Sequence, residues 1–176
     1  MKIKFVVLLL CGVIVMSCDD SGNSTTTDIE ATEIPQERKK ITAKTIESIE
    51  YMDYALSSES ENAIAAWDRY HELATQIGYL KKADFSFFNG DLDLLKKFIK
   101  EFKTQMPEQF QTNLIISRNA IVETELLKLN ENLTIDNISR EEKLSNIKAL
   151  FIAFSNLNYL INKKLEGDFY NQIQPE

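Results

Sequence analysis

The chain has 176 residues, with 20 Lys+Arg against 27 Asp+Glu and a formal net charge of −7. Phosphate backbones and anionic headgroups are repelled by such a balance, which excludes a general nucleic-acid binder. No stacked-aromatic RNA motif or basic recognition helix stands out either.

The first four residues, Met1-Lys2-Ile3-Lys4, are a short cationic start, and an apolar run from Phe5 to Met16 follows. That is the layout of a secretory signal peptide. A membrane-spanning helix needs about 20 apolar residues, and Asp19 and Asp20 end this run well before that. The motif Val15-Met16-Ser17-Cys18 resembles the lipobox of bacterial lipoproteins: an aliphatic residue, then a small one directly before an obligatory cysteine. That family most often has Leu where Val15 stands, and the likeness covers only about the first 20 of the 176 residues. The resemblance implies that residues 1–17 are a cleaved signal peptide. It also implies that the Cys18 thiol carries a diacylglyceryl group and that the new amine is acylated, palmitate being a typical chain. The protein is then held to a membrane of the cell envelope by its N-terminal lipid, since two or more acyl chains anchor stably where one does not.

Several consequences follow from that implied processing. Cys11 leaves with the leader and Cys18 is alkylated, so no thiol remains for a disulfide, a zinc site or a nucleophile. Loss of Lys2 and Lys4 leaves 18 Lys+Arg against 27 Asp+Glu, a net charge near −9. Asp19 and Asp20 resemble an inner-membrane retention signal in some lineages and a surface-export signal in others, or are simply part of a solvated tether. Residues 18–34 are polar and acidic and cannot bury enough surface to offset ordering, so they read as a flexible tether. A chain of that length spans on the order of 20 Å.

From Pro35 the signals are helical, and the expected fold class is all-α: an up-and-down antiparallel bundle of four to five helices over residues 35–167. The first helix is predicted from Pro35 to Leu56, with Ile41, Thr45, Ile49, Met52 and Leu56 on one face. Ser58 and Glu61 read as a capping box opening a second helix to about residue 82, or the two form one long bent helix. Asp91 is a good N-cap for 92–105, where Leu92, Leu95, Ile99, Phe102 and Met106 make a helical stripe. A fourth helix is predicted from Pro107 to Glu131, lined by Ile115, Val122, Leu126 and Leu129 and widened by Phe110, Leu114 and Ile121. Ser139 with Glu142 opens the last, 140–166, which Gly167 is expected to end as a left-handed cap. Residues 168–176 are left as a C-terminal tail.

Few residues point to chemistry. His71 is the single histidine, and Asp68, three residues earlier, shares its helix face. Di-iron bundles use Glu-x-x-His on each of two helices; here the second histidine is missing. Asp68 and His71 are therefore only weak metal candidates, and an ordinary polar or core-edge histidine is the plainer reading. No Gly-x-Ser-x-Gly elbow or phosphate-cradling loop occurs, so no enzyme is expected and no cofactor is assigned. The segment Leu94–Lys103 is cationic and amphipathic; it suits an anionic membrane surface or, more simply, a bundle helix with Lys at its negative end. Phe85, Phe87 and Phe88 either plug the end of the bundle or form a contact patch. The leading functional reading is a non-catalytic interaction module that docks onto another envelope protein or itself. The alternative is a small-ligand or metal-binding envelope protein with a bundle pocket near His71 and Tyr70.

Overall fold

A computed structural model describes residues 40–173. The expected leader and tether, Cys18 and Pro175 lie outside them. Within them, helix starts are set by side-chain oxygens that take up first-turn N–H groups. Thr42 accepts from the Thr45 amide at 3.3 Å and opens α1 (Ala43–Glu47). Ser57 accepts from the Ser60 amide at 3.2 Å and opens α2 (Ser58–Ala63). After a turn at residues 64–67 comes α3 (Asp68–Lys81). Asp91 accepts from the amides of Asp93 at 2.8 Å and Leu94 at 3.1 Å, opening α4 (Leu92–Thr104). A single 3-10 turn, Glu108–Phe110, precedes Thr112, the cap of α5 (Asn113–Thr134). Ser139 accepts from the Glu142 amide at 3.1 Å and opens α6 (Arg140–Ile173). The fold is all-α, with no strand among the described residues. None of the described helices is long and apolar enough to cross a membrane.

Residues 135–139 connect α5 to α6, and these two make the most extensive helix pair, an αα-hairpin. α4 packs on α5, α3 on α4, α2 on α6 and α1 on α3. Each long helix buries one stripe: Leu73, Ile77 and Leu80 on α3, Leu95, Phe98, Ile99 and Phe102 on α4. Val122, Leu126 and Leu129 of α5 face Ile147, Leu150, Phe151, Leu157 and Ile161 of α6 in the same core. Removing one such side chain from water contributes about 1.5–3 kcal/mol. Trp67 is fully buried between the rings of Tyr70 and Phe102, and its indole N–H donates to the Phe102 carbonyl at 2.8 Å.

Several boundaries differ from the periodicity. Of the expected 35–56 helix, the described residues form only α1; residues 49–57 are non-helical, and Met52, expected on the apolar face, is exposed. The expected 59–82 helix is two, so neither it nor a single bent helix over 35–82 is formed. Ile64 and Trp67, both in the break, are fully buried. These two changes give six α-helices among the described residues, where four to five were expected. Ser57 rather than Ser58 is the cap of α2. Pro107 precedes the 3-10 turn instead of starting α5, because that turn delivers Phe110 to the core with no exposure. Leu114 and Ile121 are exposed rather than core-facing. Gly167 is not left-handed, and α6 continues through it to Ile173, into the expected tail. Ion pairs from Lys163 to Glu166 and from Lys164 to Asp168 hold that turn helical.

The end of α3 carries the one positive φ among described non-glycine residues, 63° at Ala83. The Ala83 amide donates to the Leu80 carbonyl at 2.9 Å and the Asp84 amide to Tyr79 at 3.0 Å. That is a Schellman cap with alanine where glycine is favoured. A left-handed L-residue costs about 1–2 kcal/mol, partly offset by glycine's greater unfolded-state entropy. Ala83→Gly is therefore expected to raise unfolding free energy by about 0.5–1 kcal/mol in urea titrations.

Candidate functional site

The non-helical strap, residues 49–57, creates the most distinctive site because its backbone groups need partners that a helix would have supplied internally. They find them on α6, where Ser155, Asn158 and Asn162 recur at helical spacing on one face. The Tyr54 amide donates to Ser155 Oγ at 2.7 Å, and that hydroxyl donates to the Met52 carbonyl at 2.6 Å. Asn158 Nδ2 donates to the Tyr54 carbonyl at 2.9 Å. Asn162 donates to the Ala55 carbonyl and accepts from the Ser57 amide, both at 2.9 Å. From below, the Tyr70 phenol of α3 donates to Asn158 Oδ1 at 2.6 Å. A strap, a short helix and two long helices are thus joined through three small polar side chains.

Between strap, α3 and α6 lies an open cavity of about 270 Å³. Its walls include the rings of Tyr51, Tyr54, Phe151 and Phe154, and its α3 side is lined by Ala74 and Gly78. At its edge Lys81 Nζ donates to Asp53 Oδ2 at 2.7 Å, and the Tyr51 phenol donates to the same oxygen at 3.0 Å. The ammonium sits 5.7 Å from the ring centroids of both Tyr51 and Phe151. Burial works to lower the Lys81 pKa, but its hydrogen bonds to Asp53 and Tyr51 outweigh it, and the net direction is up. Burial raises the Tyr51 phenol. Burial first, and Glu61 second, push the Tyr70 phenol far above the usual tyrosine range.

The residues singled out in the sequence lie elsewhere. Cys18 is outside the described residues. His71 and Asp68 are exposed on α3 and do not line the cavity; His71 Nε2 lies 3.1 Å from the Ile64 carbonyl. No group of three or more His, Cys, Asp or Glu able to hold a metal occurs among the described residues. Phe88 is fully buried, which corrects its place in a contact patch, and Phe85 and Phe87 are partly buried and pack against the core. Phe87 meets Phe88 and Phe98 edge-on, and Asn130 Nδ2 donates to the carbonyls of Phe88 at 2.9 Å and Gly90 at 3.0 Å. These rings close the core instead of offering it. The cationic helix α4 buries Leu95, Phe98, Ile99 and Phe102, while Leu92, expected on that stripe, is exposed, and Lys103 pairs with Glu123 at 2.7 Å.

Exposed apolar surface gathers instead at the end of α6. Phe169, Tyr170 and Ile173 are 62%, 57% and 57% exposed, with the two rings in mutual contact at 6.2 Å. Sequence reasoning missed both this face and the strap. The 169/170/173 spacing was readable as a helical continuation, but the expected cap at Gly167 hid it.

The chain matches no family model, no curated protein and no solved structure.

Ser155→Ala removes both the acceptor of the Tyr54 amide and the donor to Met52, and is expected to cost about 1–3 kcal/mol. Amide exchange should accelerate at Tyr54 while α5 stays protected; uniform acceleration would show that the strap is not clamped locally. The three raised pKa values also set a pH response. A group whose folded pKa lies above its unfolded one contributes its stability in full below the unfolded pKa, here about 10 for the phenols, and loses it as pH rises through the folded one. Stability should therefore fall beyond about pH 10. Tyr70→Phe should flatten that decline while costing about 1–3 kcal/mol at neutral pH through the unpaired Asn158 oxygen.

Proposed function

We propose that this protein is a lipid-anchored component of a bacterial cell envelope whose helical domain is a non-catalytic docking module. Two features of the chain support the reading. The Val15-Met16-Ser17-Cys18 motif, behind a cationic and apolar leader, supplies the anchor. The observation that carries the docking role is the end of α6. Single exposed apolar residues are ordinary, but three within two turns, two of them aromatic, make a patch of the kind that seats in a partner's apolar groove. Aromatic side chains are also the commonest anchors of protein interfaces. The partner is another envelope protein presenting such a groove within reach of the membrane.

Mass spectrometry of the protein from its native host should find Cys18 as the first residue, carrying lipid. An intact Met1 or a free Cys18 thiol would refute the anchor. For the docking role, a photo-crosslinker at Tyr170 in the full-length protein in its host should give one discrete heterologous adduct. Phe169→Asp with Ile173→Asp should abolish it without changing helicity. An adduct that survives the double substitution, or none at all, would refute the docking face.

A further inference from the structure

The cavity under the strap is held open in a way that packing alone does not explain. Gly78 lies inside α3, where glycine costs about 1 kcal/mol relative to alanine. Close approach does not require it: a Cβ built there meets no heavy atom within 4 Å. Ile77 also lines the α3 side, but Ala74, one turn before Gly78, is small as well, so part of that side is left unfilled where a larger apolar side chain would occupy it. The rings of Tyr51, Tyr54, Phe151 and Phe154 are left around a space of about 270 Å³. That is below the roughly 300–1,000 Å³ of drug-sized sites and suits a small metabolite.

The charges at the edge narrow its chemistry. Lys81 and Asp53 form a one-to-one pair 2.7 Å apart, each partly exposed. Asp53 Oδ2 already accepts from both Lys81 and Tyr51. Asn158, also on the lining, is neutral, with its oxygen accepting from Tyr70 and one amide N–H donated to Tyr54, so it adds no net charge to the site. An anion inserted here would engage Lys81 but stand against Asp53, and a cation would meet the reverse penalty. A ligand carrying both charges a few bonds apart competes with the pair on both sides. We propose that this cavity binds a small zwitterion, an α-amino acid with an aliphatic or aromatic side chain. Its carboxylate meets Lys81, its ammonium meets Asp53, and its side chain lies among the four rings. The site does not depend on the lipid anchor or on the end of α6.

Calorimetry on the folded protein with L-leucine and L-phenylalanine tests this, alongside their N-acetyl and methyl-ester derivatives, which each keep one charge. Saturable binding of at least one amino acid is expected, weakened by about tenfold or more in both of its derivatives. Gly78→Met fills the cavity from α3 and should weaken binding by about tenfold or more while keeping wild-type helicity and a melting temperature no lower than wild type. Lys81→Gln, which leaves the cavity open, should lose the discrimination between the amino acid and its ester. No heat from either amino acid up to millimolar concentrations, equal binding of the blocked derivatives, or undiminished binding by folded Gly78→Met would each overturn the proposal.

Discussion

A buried polar group must be paired, and three side chains on one face of α6 meet that demand for a whole segment of backbone. Ser155, Asn158 and Asn162 replace, for residues 52–57, the hydrogen bonds that a helix or a sheet would provide. Each is short enough to lie flat against α6 and carries both donor and acceptor capacity. Everything at this end of the molecule follows from the clamp. It fixes the strap, the strap carries Tyr51, Asp53 and Tyr54, and those residues form one wall of the cavity. Tyr70, reaching Asn158 from α3, ties the clamp to the core through Trp67 and Phe154.

The same device recurs at the other irregular segment. Asn130 of α5 donates to two carbonyls of the turn after Phe88, so the aromatic run is drawn inward and sealed rather than displayed. Amide side chains on the two longest helices thus act as fixed pegs for the non-helical chain. A peg of this kind is costly to lose, because the segment it holds has no alternative partner once water is excluded. The long helices form the scaffold, and the cavity and the exposed apolar end of α6 lie where another segment is pinned to it and where a helix runs past it.

Much of the scaffold was legible from sequence. The stripe from Leu95 to Phe102, the Asp91 and Ser139 caps and the Ile115, Val122, Leu126 and Leu129 face of α5 follow from 3.6-residue periodicity and local capping chemistry, neither of which needs a distant partner. The strap was not legible for the opposite reason. Ile41, Thr45, Ile49, Met52 and Leu56 fit a helical face, and only partners about 100 residues away make the extended path cheaper. Gly167 misled similarly: as a cap it is a sound local reading, but ion pairs and continued pairing keep α6 running through it. The cavity had no signal beyond an interior glycine, whose empty surroundings are visible only in three dimensions.

By itself, the amino-acid sequence determined the all-helical class, the positions of most helix starts and an N-terminal pattern that reads as a leader and lipobox, because these depend on neighbours within a few residues. Only the tertiary structure decided which apolar residues are core and which are surface. It sealed Phe88, exposed Phe169 and Tyr170, and set Lys81 beside Asp53. Those outcomes rest on pairings between distant segments, where the cost of leaving a buried polar group unpaired outweighs the small preferences that local pattern records.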